Sequence, residues 1–347
     1  CETAQKSVDN TAAIDNTVYD KQGVIDMPQR FYLASQDSAG GIYLCSIDGA
    51  GNISTEDFCP LPGCAWLAMD GGKLYAVLRE PFQQQSGVVS FDILPDGKLT
   101  NMSRPQPTHG SIAAFLLADE GRLYCANYLS GSVVLLPDRV AAYSGFGPVS
   151  GRQDCSHPHC VARIPGSGLL AVADLGTDRI YVCTEELDTV SAAVMPAGSG
   201  PRHIVFSPDG KYAYCSLELT GEAAVLERCG NELRYLDRQS VLPEGSHDSC
   251  TASAIRISGD GRRLYVSNRG RGSICVFDVD GAHLSRAGSI SCGNGGHIRE
   301  FNFVGRWLLC ADEKEHTVSV FPRDSAIGSA PVSVSEFKRV WCILPLE

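Results

Sequence analysis

The segment SPDGKYAYCSL, residues 207–217, decides the fold of this chain. Its first part, Pro-Asp-Gly, is typical of a compact chain reversal in which Gly210 takes a positive φ angle. Its second part is a short apolar run with an aromatic residue, typical of a buried strand. The segment therefore predicts a tight turn followed by a strand.

The apolar run of this segment occurs seven times along the chain. Each copy has an aromatic or aliphatic pair, two small apolar residues and then a polar or terminal position. The copies are FYLAS (31–35), LYAVL (74–78), LYCAN (123–127), LAVAD (170–174), AYCSL (213–217), LYVSN (264–268) and LLCAD (308–312). They end 43, 49, 47, 43, 51 and 44 residues apart. This spacing is typical of propeller blades.

The two ends of the chain complete this pattern. Six copies follow an apolar run and a turn, whereas the first copy has no such strand before it. A surplus strand, RVWCILPL, stands at residues 339–346 after the last copy. Giving this strand to the first blade closes the ring and removes a free edge. We therefore predict an all-β, seven-bladed β-propeller over residues 27–347, closed by the C-terminal strand; a solenoid or a sandwich would leave the surplus strand unexplained.

The cysteines and the N-terminal residues indicate where in the cell the protein is located. Fifteen cysteines are an odd number in a large chain, and no CxxC pair occurs. Seven lie inside strand-like runs, where thiols act as small hydrophobic groups, which indicates a reducing cytoplasm: Cys45, Cys125, Cys183, Cys215, Cys275, Cys310 and Cys342. Residues 1–26 are polar and are predicted to be an N-terminal extension or tail; a lipid anchor through Cys1 is the less favoured alternative.

The charge of the chain limits its partners. The formal net charge is −11, and no stretch supplies the clustered Lys and Arg that nucleic acid requires. The apolar stretches are too short to span a bilayer. We therefore expect an anionic small molecule as the partner, no nucleic acid or membrane, and a monomer or a weak dimer.

Polar residues are concentrated at one end of the predicted blades. Because consecutive strands are antiparallel, the start of each inner strand and the end of each second strand share one face of the disc. Polar residues before or at inner strands are His157, His159, Arg202, His203, Ser253, His297 and Arg299. Those at or after the ends of second strands are Asn127, Tyr128, Asp174, Glu218, Asn268, Arg269, Asp312 and Glu313. All should line one end of the central channel.

This set of side chains suits an anionic ligand. Arginine donates paired hydrogen bonds to carboxylate or phosphate, and a histidine or glutamate nearby can move protons. Asp174, Asn127 and Asn268 have an alternative role, since such residues often cap turns at strand ends. His157 and His159 could together ligate a metal, but the neighbouring arginines would repel a divalent ion, so a site without metal or cofactor is favoured.

Five stretches carry a resemblance to a known family. They are ANYLSGSV (126–133), GFGPVSGRQDCSHPHCV (145–161), VADLGTDRIYV (172–182), GSGPRHIVFSPDGKYAYCSLE (198–218) and SAIRISGDGRRLYVSNRG (253–270). With these motifs the chain resembles the seven-bladed propeller lactonases, which include bacterial 6-phosphogluconolactonases and fungal muconate-lactonising enzymes. The resemblance runs from about residue 31 to 345.

The resemblance assigns roles to residues of the channel mouth. The histidine motif of the family falls on His157 and His159, its Pro-Arg-His on residues 201–203, and its glutamate on Glu218. Its later arginines fall on Arg256 or Arg269, and on Arg299. Departures from the family pattern are Ser156, Leu217 and Ile298.

The implied activity is hydrolysis of a sugar-derived lactone, with 6-phosphogluconolactone of the pentose phosphate pathway as the favoured substrate. In this hypothesis Glu218 or a neutral imidazole of His157 or His159 activates water, and Arg202 stabilises the oxyanion. The remaining residues would bind substrate: His203, Arg256, Asn268, Arg269, His297, Arg299, Asp174 and Asn127. The alternatives are a muconate-type lactonising cycloisomerase and a non-catalytic propeller that binds a ligand or a protein.

Overall fold

The computed structural model describes residues 17–20, 23–26, 28–243, 245, 250–293 and 296–346. Regular structure in these residues is β-strand, apart from one 3-10 turn at Arg323–Ser325. No helix in these ranges has the length and apolar character needed to cross a membrane. Of the predicted N-terminal tail, only Thr17–Asp20 and Gly23–Asp26 are described, and they pair with each other. The rest of the tail, including Cys1, lies outside the described residues.

Seven antiparallel sheets follow one another as the predicted blades. From the channel outwards, the strands of blade one are Val340–Leu346, Gln29–Ser35, Gly41–Ile47 and Ile53–Pro60. Those of blade two are Cys64–Asp70, Lys73–Phe82, Gln85–Ile93 and Gln106–Pro107, and Leu99–Thr100 also pairs with Gln85–Ile93. Those of blade three are Ala113–Asp119, Arg122–Asn127, Ser132–Leu135 and Arg139–Ala142.

Blades four to seven each have four strands. From the channel outwards, blade four has Pro158–Arg163, Leu169–Asp174, Arg179–Thr184 and Thr189–Val194, and blade five has Pro201–Phe206, Tyr212–Leu217, Glu222–Cys229 and Glu232–Ser240. Blade six has Thr251–Ile257, Arg263–Arg269, Ser273–Asp280 and His283–Ser291, and blade seven has Ile298–Val304, Trp307–Asp312, Thr317–Pro322 and Ser333–Glu336.

Ring closure and the turn chemistry follow the prediction. The C-terminal strand is the inner strand of blade one, and its Ile343 pairs with Leu33 of the second strand. Gly210 has φ +67°, and its N–H donates to the carbonyl of Ser207 at 2.8 Å. The seven-bladed propeller closed by its last strand is therefore confirmed.

The hydrophobic core lies between neighbouring blades. The second strands carry the repeat copies and are almost fully buried, as in Trp307–Asp312, because apolar side chains on both faces pack against adjoining sheets. The seven cysteines predicted to lie in strands are free and buried, as expected for thiols that act as small hydrophobic groups.

Every inner strand has a β-bulge near its first residue. At this point one or two inner-strand residues lack their own partner in the second strand, which bends the strand and re-aims side chains. The bulged residues, from blade one to blade seven, are Trp341, Ala65, Ala114, His159, Arg202 with His203, Ser253 with Ala254, and Arg299. The seven bulges place one ring of side chains at the same end of the channel.

Candidate active site at the mouth of the channel

Glu218 is the centre of a cluster of arginines. It is 4% exposed, and its Oε2 lies 3.0 Å from Nε of Arg202 and 2.8 Å from Nη2 of Arg269. Arg152, from the loop before blade four, donates to its Oε1. Burial alone would raise the pKa of Glu218, but Arg269 and Arg202 lower it well below its ordinary value. The carboxylate is thus ionised and holds three guanidiniums in place.

Arg202 connects this cluster to the floor of the mouth. Its Nη1 donates to Nε2 of His203 at 3.0 Å, which leaves the proton of a neutral ring on Nδ1. Burial and then Arg202 lower the pKa of His203 well below its ordinary value, so the ring is neutral. The ring packs edge-on against Trp66 and Phe115, each at 5.5 Å between centroids. These two aromatic residues come from blades two and three, so the contacts span the channel.

His159 lies between the floor and the rim. Its ring is edge-on to His203 at 5.2 Å and to Tyr128 at 5.7 Å, and its buried Nδ1 has no hydrogen-bond partner. Burial and then Arg202 lower the pKa of His159 well below its ordinary value. A neutral imidazole with an unpartnered nitrogen is therefore present beside the guanidinium cluster.

His157 has different surroundings, although it is only two residues from His159. Its ring stacks on Tyr128, with centroids 4.3 Å apart and planes 7° apart. Its Nδ1 lies 2.8 Å from the carbonyl oxygen of Tyr128, and its Nε2 lies 3.7 Å from Sγ of Cys155. His157 therefore sits in a fixed position at the rim.

A second basic region surrounds Trp341. The guanidinium of Arg299 lies 3.7 Å from the centroid of this ring, and that of Arg79 lies 4.6 Å from it. Nη1 of Arg299 and Nδ1 of His297 lie 3.4 and 3.3 Å from Oε2 of Glu313. Burial opposes ionisation of Glu313, but His297 and Arg299 lower its pKa to about 2. His297 and Arg299 are thus brought together as predicted, by one carboxylate.

Arg256 and Arg269, the two candidates for one family position, have different environments. Arg269 joins the Glu218 cluster. Arg256 pairs with buried Glu300 at 2.5 Å and also donates to the carbonyl of Ile255. Burial raises the pKa of Glu300 even though Arg256 lowers it. The geometry therefore favours Arg269 at the mouth and an internal ion pair for Arg256.

The last residues of the repeat copies hold the loops that enter the inner strands. Asp174 accepts a hydrogen bond of 2.7 Å from the backbone N–H of His157. Asn127 donates from Nδ2 to the carbonyl of Thr108 at 2.8 Å. Asn268 is fully buried, and neither amide atom has a hydrogen-bond partner. The contacts of Asp174 and Asn127 are those of turn caps, so substrate binding by these two residues stays a prediction.

Sequence reasoning did not single out three residues of the mouth: Arg79, Arg152 and Trp341. Arg79 directly follows a repeat copy, which is also the position of Glu218 and Arg269, so the repeat register contained the signal. Arg152 lies in a loop without periodicity. Trp341 is placed by the bulge in the closing strand.

The mouth carries an excess of positive charge. Five arginines face two ionised carboxylates, which gives a local charge of 5 − 2 = +3 in a chain of net charge −11. The seven groups are Arg79, Arg152, Arg202, Arg269, Arg299, Glu218 and Glu313. In the described part of the chain, no three His, Cys, Asp or Glu side chains are grouped so as to hold a metal ion. The candidate site therefore has a net positive charge.

Comparison with known proteins agrees with this architecture. Residues 30–338 match the family model "Lactonase, 7-bladed beta-propeller". A 6-phosphogluconolactonase of Bacillus subtilis is 31% identical over 281 residues, which cover 74% of this chain and 78% of that protein. An uncharacterised protein of Staphylococcus epidermidis is 31% identical over 85% of this chain and 92% of its own length. The structure of a periplasmic gluconolactonase of Pseudomonas aeruginosa superposes with a TM-score of 0.83 at 26% identity, over 92% of this chain and 99% of that one.

Proposed function

Because the chain belongs to the seven-bladed β-propeller lactonase family, we propose that it hydrolyses the ring ester of a sugar-derived lactone that carries an anionic group, with 6-phosphogluconolactone as substrate and 6-phosphogluconate as product. The observation that carries the proposal is the mouth itself. Five arginines meet a neutral imidazole and an ionised Glu218 at one end of the channel.

The base in this proposal is His159 rather than Glu218. Three arginines lower the proton affinity of Glu218, so its carboxylate is a weak acceptor, whereas the ring of His159 is neutral and can accept a proton. The imidazole removes a proton from water as the oxygen attacks the lactone carbonyl. Glu218 stabilises the imidazolium that forms, since its charge favours protonation of His159.

Arg202 is the proposed stabiliser of the oxyanion. It is 2% exposed and held by Glu218 and His203, so its guanidinium does not need to reorganise as negative charge develops on the carbonyl oxygen. Collapse of the tetrahedral intermediate breaks the ring C–O bond. The leaving alkoxide then receives the proton from His159, which restores the neutral ring.

The anionic group of the substrate would lie on the other basic region. Arg299 shares its charge with Glu313, whereas Arg79 makes no ion pair among the described residues and stacks on Trp341. A dianionic phosphate is a better partner for such a pair than a hydroxyl group. Recognition of phosphate by Arg79 and Arg299, with hydroxyl groups near Arg269, therefore completes the proposed site.

The test is a panel of phosphorylated and unphosphorylated aldonolactones, followed by acid release with the spontaneous opening rate subtracted. His159→Gln should lower kcat for each lactone that is turned over, about 10²- to 10⁴-fold. Arg79→Gln should raise KM about tenfold for the phosphorylated lactone only. Arg339→Gln is the matched control, because Arg339 is also partly buried but lies 5.8 Å from the centroid of the same Trp341 ring, farther than Arg79 or Arg299.

Two outcomes would overturn the proposal. Absence of turnover on every lactone would leave a ligand-binding propeller, and ring formation from an unsaturated acid without hydrolysis would leave a lactonising enzyme. An equal rise in KM for phosphorylated and unphosphorylated lactones in the Arg79→Gln protein would show that Arg79 does not bind the phosphate.

A further inference from the structure

We infer that Cys155 is a reactive thiol at the rim of the channel mouth, activated by His157, and that it is a site of modification by low-molecular-weight disulfides. Cys155 is exposed, and its Sγ lies 3.7 Å from Nε2 of His157. The pair stands outside the Glu218 cluster and has no part in the proposed hydrolysis.

The direction of the proton follows from the other side of the imidazole. Nδ1 of His157 lies 2.8 Å from the carbonyl oxygen of Tyr128, which can only accept, so Nδ1 carries the proton of the neutral ring. Nε2 is therefore left as an acceptor for the thiol of Cys155. A nucleophile, a base and a group that orients the base are the three parts of an activated cysteine.

The pair is held in position by its surroundings. The ring of His157 stacks on Tyr128, and its backbone N–H donates to Asp174 at 2.7 Å. Gly176 packs against the carbonyl group of Cys155 so closely that a β-carbon there would clash with it. Both the imidazole and the segment that carries the thiol are thus fixed, so the thiol stays close to its base.

Cys229 provides an internal comparison. Cys155 and Cys229 are the exposed thiols among the described residues, but Sγ of Cys229 lies 3.9 Å from the carboxylate of Glu227. A carboxylate disfavours a thiolate, whereas an imidazole accepts its proton and stabilises it. Because both thiols are exposed but their neighbours have opposite effects, we expect Cys155 to react faster than Cys229.

The modification is a thiol–disulfide exchange. His157 takes the thiol proton, the sulfur of Cys155 attacks one sulfur of the disulfide, and the other leaves as a thiolate that is protonated in turn. One S–S bond breaks and one forms, so no further oxidant is needed. Arg152 lies three residues away and contacts Glu218, so a bulky adduct on Cys155 would obstruct the mouth. This last consequence rests on the proposed function.

The first experiment measures reactivity without any enzyme assay. The native protein is treated with iodoacetamide at neutral pH, and labelling of Cys155 and Cys229 is followed by peptide mass spectrometry. Cys155 should react about tenfold faster than Cys229, and His157→Asn should lower this ratio several-fold, towards the value of about one expected for both proteins in denaturant. Cys155 reacting no faster than Cys229 in the native wild type, or an unchanged ratio in a folded His157→Asn protein, would overturn the inference.

The second experiment measures the effect on the mouth. Incubation with glutathione disulfide should abolish most lactone hydrolysis, dithiothreitol should restore it, and the Cys155→Ser protein should resist the treatment. A mixed disulfide at Cys155 with undiminished hydrolysis would refute obstruction. Labelling tests the reactive thiol even if no lactone is turned over, so failure of the proposed hydrolysis is distinguishable from failure of this inference.

Discussion

The two sides of the channel mouth share one backbone design but carry different chemistry. In blades one to three the bulged residues are Trp341, Ala65 and Ala114, and Trp66 and Phe115 follow directly. In blades four to seven the bulged residues include two histidines and two arginines. Apart from Arg79 of blade two, the charged groups of the mouth come from the second side. The same bulge thus places aromatic rings on one side of the channel and guanidinium or imidazole groups on the other.

The largest expected effect of a substitution comes from the charged side. Arg202→Ala removes the proposed oxyanion donor and one partner of Glu218, so kcat should fall about 10²- to 10³-fold. Arg163→Ala is the matched control, because Arg163 also bridges two carboxylates but lies at the far end of the blade-four inner strand. Steady-state kinetics on both variants would test this expectation, and an equal decrease in kcat for Arg202→Ala and Arg163→Ala would contradict it.

On the aromatic side the main effect should be on stability. Trp66 is 8% exposed and packs on Phe115 with centroids 4.6 Å apart, so Trp66→Ala leaves a cavity and should cost about 3 kcal/mol of unfolding free energy. Urea unfolding measures this loss. The decrease in kcat should be smaller than for Arg202→Ala, and the reverse order would mean that the aromatic side takes part in the chemistry.

The buried histidines should make stability depend on pH. The pKa values of His159 and His203 are lowered in the folded state, so below their unfolded value of about 6.5 the unfolded chain binds more protons. Unfolding free energy should be fully developed above pH 6.5 and should fall below it, by up to about 1.4 kcal/mol per pH unit for each histidine. The lowered pKa of Glu218 affects the unfolding free energy only below about pH 4.5, so it does not contribute to the change near pH 6.5.

Urea unfolding between about pH 7.5 and 5.5 tests this dependence. His203→Gln should reduce the slope, whereas His283→Gln, at an exposed site on an outer strand, should leave it unchanged. A slope that does not change in the His203 variant would show that the two imidazoles are not the source.

The smallest expected effect concerns the caps. Asp174→Asn weakens the charge-assisted hydrogen bonds from Ser156 Oγ and the His157 N–H, so the unfolding free energy should fall by about 1 kcal/mol. KM should change little if Asp174 is a cap. A large rise in KM at unchanged stability would instead support the predicted role in substrate binding.

Part of the site could be predicted because the repeat fixes the end of each strand. The copies that end at residues 174, 217, 268 and 312 put His157, Arg202, Glu218 and Arg269 on one face of the disc. Arg79 occupies the same repeat position as Glu218, so the repeat register contained its signal, although its strand continues to Phe82 instead of ending there. Arg152 could not be placed, because its position depends on the path of a loop.

The sequence by itself determined seven blades, their order and their closure, because strand period, turn residues and the surplus last strand are local patterns. Only the tertiary structure decided which side chains meet. Ring closure brings Trp341 to Arg79, 262 residues earlier in the chain, and the bulge gives His159 different neighbours from His157. Contacts between blades also set the protonation states, since the burial that lowers the pKa of His159 and the guanidiniums that lower the pKa of Glu218 exist only once the ring has formed.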